Sequence, residues 1–596
     1  MVAPGTAAVR IALVGAGPRA LSVLERICAL CAEHGVRADV EVVDPGTPGT
    51  GLHRPQPDHL LLNTIAAQVT GFADPAMLGR PDAGPGGPTL FSWARERGLG
   101  RTGSGWSYGG RGRPVRPADY LPRRVLGEYL AWCWREIADR AGPGVRITHH
   151  RAEVTDVVRT GGGERLLLSD GRSVEADSVV LALGHGLPGD ARPEPADRRI
   201  RVPYPLPDAV APVPDGARVA VLGTGLAAMD VIAALTVGRG GRLTGGPDGR
   251  PRYLPSGREP RITWVSRSGL PYRSRPEFHP DRVAPPARHF TPAAVRALRT
   301  AAGDGRIDFE RELLPLLRAE LDDRLGPGSA HTGAGLLAER VPEEALTDAV
   351  QYAKWFLHSV QEDLEQALIG VEDSPLKAAL EVLRDHRETI RLAVDAPGLT
   401  PESTRWFFTR FTGELNRLVT GPHAERTAEV LAIAEAGVLT PGPGPAPALV
   451  QRDLGWDVVS TGLAEEASVR VDWLVGAHLP ALAGAELPAA EEGGRERDLL
   501  GRLLGRGRLR RLTAAGAPLG IEVDAALRVR DAAGLVSPTL SAFGPLTEGS
   551  TFYNHYVPSP GSPSRALREA DLLAARLLRL DQTRAQAPEQ DQEAAS

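Results

Sequence analysis

The apolar and polar positions change period along the chain, and the changes mark its elements. Arg10-Ile-Ala-Leu-Val14 is a short continuous apolar run of buried-strand type, and helical spacing follows over residues 18–34. Asp39-Val-Glu-Val-Val-Asp44 returns to strand character. The same succession recurs downstream: the run Arg218-Val-Ala-Val-Leu222, a helix over 225–238, a hairpin around Gly245-Gly-Pro-Asp-Gly249, then the strand Arg261-Ile-Thr-Trp-Val265. Between the two, residues 120–140 read as a helix. Residues 145–185 alternate as antiparallel strands around Gly161-Gly-Gly163 and Asp170-Gly171, ending in the buried run Ser178-Val-Val-Leu-Ala-Leu-Gly184. Heptad-like apolar spacing fills 290–436, around Trp355, Leu364, Leu380, Leu383, Leu392 and Phe407 to Leu418. Pro441-Gly-Pro-Gly-Pro445 ends it. Strands return at 449–476 and 520–545, before a helix at 564–580.

Strands alternating with helices predict an α/β fold with parallel sheets. The reading is two Rossmann-like dinucleotide-binding domains with a largely helical inserted subdomain. Its predicted bounds are a first unit over 1–202, a second over 203–289, a helical insertion over 290–440 and return strands of the second unit over 441–482. The first unit returns over 483–580, and a tail over 581–596, rich in Gln, Glu and Ala, reads as disordered.

Each apolar run feeds a Gly-rich turn: Gly15-Ala-Gly17-Pro-Arg-Ala20 and Gly223-Thr-Gly225-Leu-Ala-Ala228. The first glycine allows the tight turn from strand to helix. The second lets a pyrophosphate approach the backbone, and the third small residue packs helix against strand. The phosphates then rest on unpaired N–H groups at the positive helix end. Two such turns point to two dinucleotides, one flavin and one nicotinamide. Asp44 closes the second strand of the first unit, where an acid bonds an unphosphorylated ribose, as in FAD. In the second unit that place holds Ser266-Arg267. A carboxylate there would repel a 2′-phosphate, whereas a hydroxyl and a guanidinium bind it, so the expected second cofactor is NADPH. The alternative for Arg267 is an ordinary surface arginine.

Composition narrows the rest. The 596 residues exceed one core, and a net charge of −5 gives no nucleic-acid footprint. Only Lys354 and Lys377 among the 69 basic residues are lysines, so a lone arginine is a weak signal here. Three cysteines exclude a disulfide framework and suit a reducing cytoplasm. Cys28 and Cys31 form C-x-x-C, but their spacing with Leu24 and Ile27 puts them on a buried helix face. No metal site and no membrane span or signal peptide is expected, and a homo-oligomer is left open.

Several further segments carry a resemblance. They are Gly15-Ala-Gly17-Pro18-Arg19 with Leu21-Ser-Val-Leu-Glu25, Leu60-Leu-Leu-Asn63-Thr, Tyr120-Leu-Pro-Arg-Arg124 with Gly127-Glu-Tyr-Leu130, Val382-Leu-Arg-Asp385-His-Arg387, Gly421-Pro422, and Gly544-Pro545-Leu-Thr-Glu-Gly549. Over most of its length the chain resembles the long bacterial FAD/NAD(P)-binding proteins related to class B flavin monooxygenases. That group includes nitrosuccinate synthase-type L-aspartate N-monooxygenases. The resemblance implies an NADPH-reduced flavin that reacts with oxygen to a C4a-hydroperoxide and oxidises the amino nitrogen of a small amino acid, with L-aspartate the first choice. The missing F-x-G-x-x-x-H-x-x-x-W/P signature lowers ketone oxygenation. Another flavin oxidase, reductase or C-oxygenase, or a flavin-binding subunit without turnover, stays open.

The resemblance also implies site residues. Gly184, Gly544 and Pro545 belong to its flavin-contacting motifs. Asn63 and Gln68 either face the flavin ring or cap a loop. Tyr553, Asn554, His555 and Tyr556 follow the last Gly-rich turn and either approach flavin or substrate or form a polar loop, with Asn554 and Tyr556 as catalytic candidates. A dicarboxylate needs a guanidinium fork, and the candidates for binding it are Arg273, Arg275, Lys354 and Arg565.

Overall fold

The computed structural model describes residues 7–51, 53, 55–80, 86–103, 105–184, 197–246, 249–277, 282–477, 498–514, 517–554 and 556–580. The tail over 581–596 and His555 lie outside the described residues.

The elements that build the two nucleotide units, in chain order, are β1 (Val9–Val14), α1 (Pro18–His34), β2 (Ala38–Val43), α2 (Arg123–Arg140), β3 (Val145–His150), β4 (Ser178–Leu181), β5 (Arg199–Ile200), β6 (Arg218–Leu222), α3 (Leu226–Leu235) and β7 (Arg261–Val265). They continue with α4 (Ala349–Ile369), α5 (Pro375–Asp385), α6 (Arg387–Val394), α7 (Ala424–Glu435), β8 (Leu439–Pro441), β9 (Trp473–Gly476), β10 (Arg528–Arg530), β11 (Val536–Ala542) and α8 (Arg565–Leu577).

Two separate sheets result. The first runs β10-β11-β4-β1-β2-β3, parallel except for the β10–β11 pair; the second runs β5-β9-β6-β7-β8, all parallel. In each, the strand before the Gly-rich turn lies inside the sheet. Ile11, Ala12 and Leu13 are fully buried, as are Val219, Ala220 and Val221, which is why both runs are apolar on both faces.

The two units repeat one another in detail. Each sends the chain through a three-stranded antiparallel meander, 154–176 in one and 447–471 in the other, directly before β4 or β9. Arg10 opens β1 and grips Asp177 ahead of β4; Arg218 opens β6 and grips Asp472 ahead of β9. The Gly15 amide donates to Val43 and the Gly223 amide to Val265. A Cβ on Gly15 would fall 2.6 Å from the Ala182 carbonyl oxygen, and one on Gly223 3.0 Å from that of Ala477. Both glycines also hold positive φ, +95° and +129°, so the turn needs glycine twice over.

The helical region divides between cores. α4 and α7 bury Tyr352, Phe356, Val360, Val430 and Ile433 against the second sheet. The helices over 292–325, with α5, α6 and 401–419, make a core of their own around Phe309, Leu317, Leu380, Ile390 and Phe407. Phe552 of the returning chain joins that core, so the insertion is clamped to the first unit. Where the units meet, Arg123 at the start of α2 pairs with Asp230 on α3, and the Tyr204 hydroxyl donates to the same carboxylate at 2.6 Å. Cys31 is buried on α1 and Cys28 half-buried; burial pushes their thiols up to about 11 and about 12, so both pack as neutral side chains.

Candidate active site

One cleft of ≈ 3090 Å³ is lined by both Gly-rich turns. A single small-ligand pocket takes about 300–1,000 Å³, so this space suits several molecules at once.

The first turn presents Gly15, Gly17, Pro18 and Arg19 to the cleft. A Cβ on Gly17 would meet only the Gly51 Cα, 3.7 Å away, so the cradle at the start of α1 is open toward the cleft. Pro18 occupies the first helical turn, where its missing N–H costs nothing. Ala20 is fully buried behind the turn, between helix and sheet. Asp44 lines the cleft and accepts the Ala16 amide at 2.8 Å and the Gly46 amide at 2.7 Å. Each oxygen keeps lone-pair capacity for a ribose hydroxyl. Gly184 follows β4 into the cleft. These features fit an FAD pyrophosphate and ribose.

Arg19 stands differently from its neighbours. It donates to the Asn554 carbonyl at 2.8 Å and lies between the Phe543 and Tyr556 rings. Its stem sets the glycine at 544: a Cβ there would fall 2.9 Å from the Arg19 Cγ, at φ +89°. Gly544 is therefore a packing residue, while Pro545 reaches the cleft.

In the second unit Gly223, Gly225, Ser266 and Arg267 line the same cleft, and Ala228 is buried behind them. The ring of Tyr272 covers Gly225, where a Cβ would fall 3.2 Å from it. Ser266 is buried, and its hydroxyl donates to the Leu270 carbonyl at 2.7 Å, so it offers a phosphate no proton. Arg267 is exposed and makes no side-chain ion pair among the described residues. Of the Ser-Arg pair, the arginine is the one disposed to meet a 2′-phosphate.

Three of the four substrate-clamp candidates stand outside the cleft. Arg273 pairs with Glu339 at 2.6 Å and Asp363 at 3.2 Å. Arg565 is held by Asp395 and Glu569. Lys354 is exposed on α4 and is not among the cleft's walls. The other lysine is the structural one: Lys377 on α5 is fully buried, 2.6 Å from Asp363 and 2.9 Å from the Ser274 carbonyl. Burial pushes the Asp363 carboxyl up, but Lys377 and Arg273 outweigh it and hold the group below the usual range.

Arg275 does reach the cleft. It donates to the Asn63 carbonyl, and its guanidinium lies 3.4 Å from the Gln68 Oε1. Burial pulls it below the usual guanidinium range, and the Arg384 charge nearby adds to the pull. Arg384, from α5, donates to both Glu381 oxygens at 2.8 and 2.6 Å. The Asn63 Oδ1 is buried in this wall and has no hydrogen-bond partner among the described residues.

Asn554 and Tyr556 line the cleft, but their polar ends are engaged elsewhere. The Asn554 amide nitrogen donates to the Thr551 hydroxyl and carbonyl. The Tyr556 hydroxyl accepts the Ala566 amide at the start of α8, at 2.8 Å. Asn554 is thereby tied through its amide nitrogen to Thr551, and Tyr556 is anchored to α8. Glu548 ties the same turn by accepting the Tyr553 and Asn554 amides.

The family segment from Val382 to Arg387 contains Arg384 and Arg387, and the sequence assigns neither a role. Both line the cleft, and only the folding of α5 and α6 over the first unit brings them there. Among the described residues no group of three or more metal-ligating side chains exists, and no helix is long and apolar enough to cross a membrane.

His53 and His59 flank this region with imidazoles held neutral. Burial pulls each down to about 4; Arg123 adds to the effect at His53 and Arg426 at His59, where Asp58 opposes it. Their ordinary value is 6.5, so each contributes stability above that pH that is lost as pH falls from 6.5 toward 4. Burial raises Glu25 to about 7, which gives the opposite slope over an overlapping range. The check is therefore a difference. Between pH 7.5 and pH 5, His59→Gln should gain about 2 kcal/mol relative to the parent in urea unfolding. A constant difference across that range would mean His59 titrates normally.

The fold and the cleft define a flavoprotein of the two-dinucleotide class. Comparison with known proteins agrees and goes further. The FAD-NAD(P)-binding family model matches residues 12–186. The chain is 32% identical to a nitrosuccinic acid synthase of Aspergillus oryzae over 96% of its own length and 93% of the relative's. It is 31% identical to an L-aspartate N-monooxygenase (nitrosuccinate-forming) of Streptomyces davaonensis, covering 95% and 96%. It is 33% identical to an enzyme of the same description from Streptomyces cremeus, covering 95% and 94%. The chain belongs to the family of nitrosuccinate-forming L-aspartate N-monooxygenases. It is a flavin monooxygenase that uses FAD and NADPH.

Proposed function

We propose that the protein oxidises the amino group of L-aspartate to N-hydroxyaspartate and on to nitrosuccinate, in the cytoplasm, as a step of natural-product biosynthesis. The observation that carries the reading is the buried Arg275, which lines the cleft beside Asn63 and Gln68 on a wall shared with both Gly-rich turns. Full-length kinship with the nitrosuccinate-forming enzymes supports the choice of substrate.

FAD reduced by NADPH supplies the oxygen activation when bound. The residues do the rest. Arg275 offers a guanidinium to a substrate carboxylate. The positive charge of Arg275 disfavours an ammonium beside it, as does desolvation, so the substrate amine gives up its proton more readily than in water. Asn63 lines the cleft beside Arg275 and is the residue assigned to orient the neutral amine. Arg267 is assigned to the 2′-phosphate of NADPH and Asp44 to the FAD ribose.

The test is oxygen uptake by the FAD-loaded enzyme with NADPH. L-Aspartate should stimulate it, and ¹⁵N-aspartate should give labelled N-hydroxyaspartate, then nitrosuccinate, by mass spectrometry. The rate should rise with pH through the pKa of the bound amine. Lysine and ornithine should be poor substrates, because a guanidinium that holds the second carboxylate repels their cationic side chains. A product oxygenated at carbon, or uptake indifferent to aspartate, would refute the assignment.

A further inference from the structure

The segment from Glu381 to Arg391 carries three arginines, and two are committed. Arg384 is paired with Glu381 and Arg391 with Glu388. Arg282, which also lines the cleft, is paired with Asp385 of the same segment at 2.7 Å. Arg387, at the start of α6, lines the cleft half-buried and makes no ion pair or hydrogen bond among the described residues. A guanidinium drawn partly out of water without an acid is costly unless an anion comes to it.

Its surroundings hold it in place without neutralising it. The Arg387 guanidinium lies 5.9 Å from the centre of the Tyr556 ring. Arg391 and Arg19 lie over the same ring, at 4.7 and 5.0 Å. The ring is fixed through the hydroxyl that accepts the Ala566 amide. Three guanidiniums share this aromatic, and Arg391 among them is paired with Glu388. Arg19 and Arg391 spend their hydrogen bonds on the Asn554, Phe552 and Tyr553 carbonyls and on Glu388. Arg387 alone of the three keeps its planar fork for something in the cleft.

We infer that Arg387 receives the side-chain carboxylate of the amino-acid substrate and sets the preference for a dicarboxylic over a neutral amino acid. The inference rests on the reading of L-aspartate as substrate. It makes the helical insertion part of substrate recognition, because α6 brings to the cleft the charge that distinguishes aspartate from asparagine. A bidentate guanidinium–carboxylate contact is directional as well as strong, so a lysine at this position recovers only part of it.

The experiment compares the parent, Arg387→Met, Arg387→Lys and Lys354→Met, all loaded with FAD. Two measurements are made: aspartate-dependent oxygen uptake, and the change in flavin absorbance on titration with succinate, a dicarboxylate without an amine. In Arg387→Met the KM for aspartate and the Kd for succinate should both rise, about ten- to a hundredfold. The advantage of aspartate over asparagine should shrink by the same factor. Arg387→Lys should fall between, and Lys354→Met, exposed and outside the cleft, should match the parent. If the parent responds to neither aspartate nor succinate, the substrate reading and the inference fall together. If the parent responds and Arg387→Met responds equally, the inference alone is overturned. A colourless Arg387→Met or Arg387→Lys would also overturn it, by making the residue a ligand of the flavin phosphates.

Discussion

Gly17→Leu should yield a folded protein without colour. The Cβ position on Gly17 faces open space, with only the Gly51 Cα at 3.7 Å, and the backbone φ of −78° suits any L residue. The substitution therefore costs the fold little. It does place a branched side chain at the start of α1, where two pyrophosphate oxygens must reach backbone N–H groups. The expected result is a circular dichroism spectrum like the parent's, no flavin absorbance after purification, and NADPH-dependent oxygen uptake at background. Melting should also become insensitive to added FAD, because a ligand that no longer binds the native state cannot stabilise it. Gly15→Leu is the contrasting case. There a Cβ meets the Ala182 carbonyl 2.6 Å away and φ is +95°, so the variant should lose β1–β4 packing and expression together. Full flavin occupancy in Gly17→Leu would remove the pyrophosphate from this turn.

Lys377→Met should destabilise the protein by about 3 kcal/mol, the low end of what removing one partner of a buried ion pair costs. The methionine fills the space of the lysine stem, so packing changes little. What remains is the Asp363 carboxylate, 3% exposed, with Arg273 at 3.2 Å and the Ser274 amide as its other partners. Those partners keep the loss from being larger. Asp363 is held below the ordinary carboxylate range while Lys377 is present, so its ionised form adds stability at neutral pH that is lost as pH falls through that lowered value. Removing Lys377 weakens what holds it there, so the variant should lose stability at a higher pH than the parent does. Urea unfolding at neutral and acid pH checks both statements. A variant within a few tenths of a kcal/mol of the parent would mean that Arg273 alone satisfies Asp363. Because Ser274 precedes Arg275, the variant should also weaken aspartate binding without altering flavin content.

The two Gly-rich strand–turn–helix units were legible in the sequence because everything they need is local. A buried strand, a turn and a helix sit in one contiguous stretch, and the demands at Gly15 and Gly223 come from backbone geometry that only glycine tolerates. The acid at Asp44 is equally local, at the end of a recognisable apolar run. Rarity misled in the case of the lysines. Lys354 stands out as a scarce residue type and lies exposed on α4, whereas Lys377 took the buried role. Nothing in the spacing of either lysine distinguishes a solvated helix face from a buried one when the neighbouring helix is unknown.

The sequence by itself determined the class of the protein: α/β, two dinucleotide units, a helical region between the parts of the second. Short-range periodicity and turn chemistry suffice for that, since they are properties of neighbours along the chain. Only the tertiary structure decided which arginines face the cleft. Arg273 and Arg275 are two residues apart, yet one is paired with Asp363 and Glu339 and the other enters the cleft beside Asn63. Arg565, near Tyr556 in sequence, is taken by Asp395 and Glu569, while Arg387 arrives over the Tyr556 ring from a distant helix. A guanidinium's availability depends on which carboxylates the fold brings within reach, and those partners lie far along the chain. That pairing is a long-range property, so it appears only once the helices of the insertion are packed against the first unit.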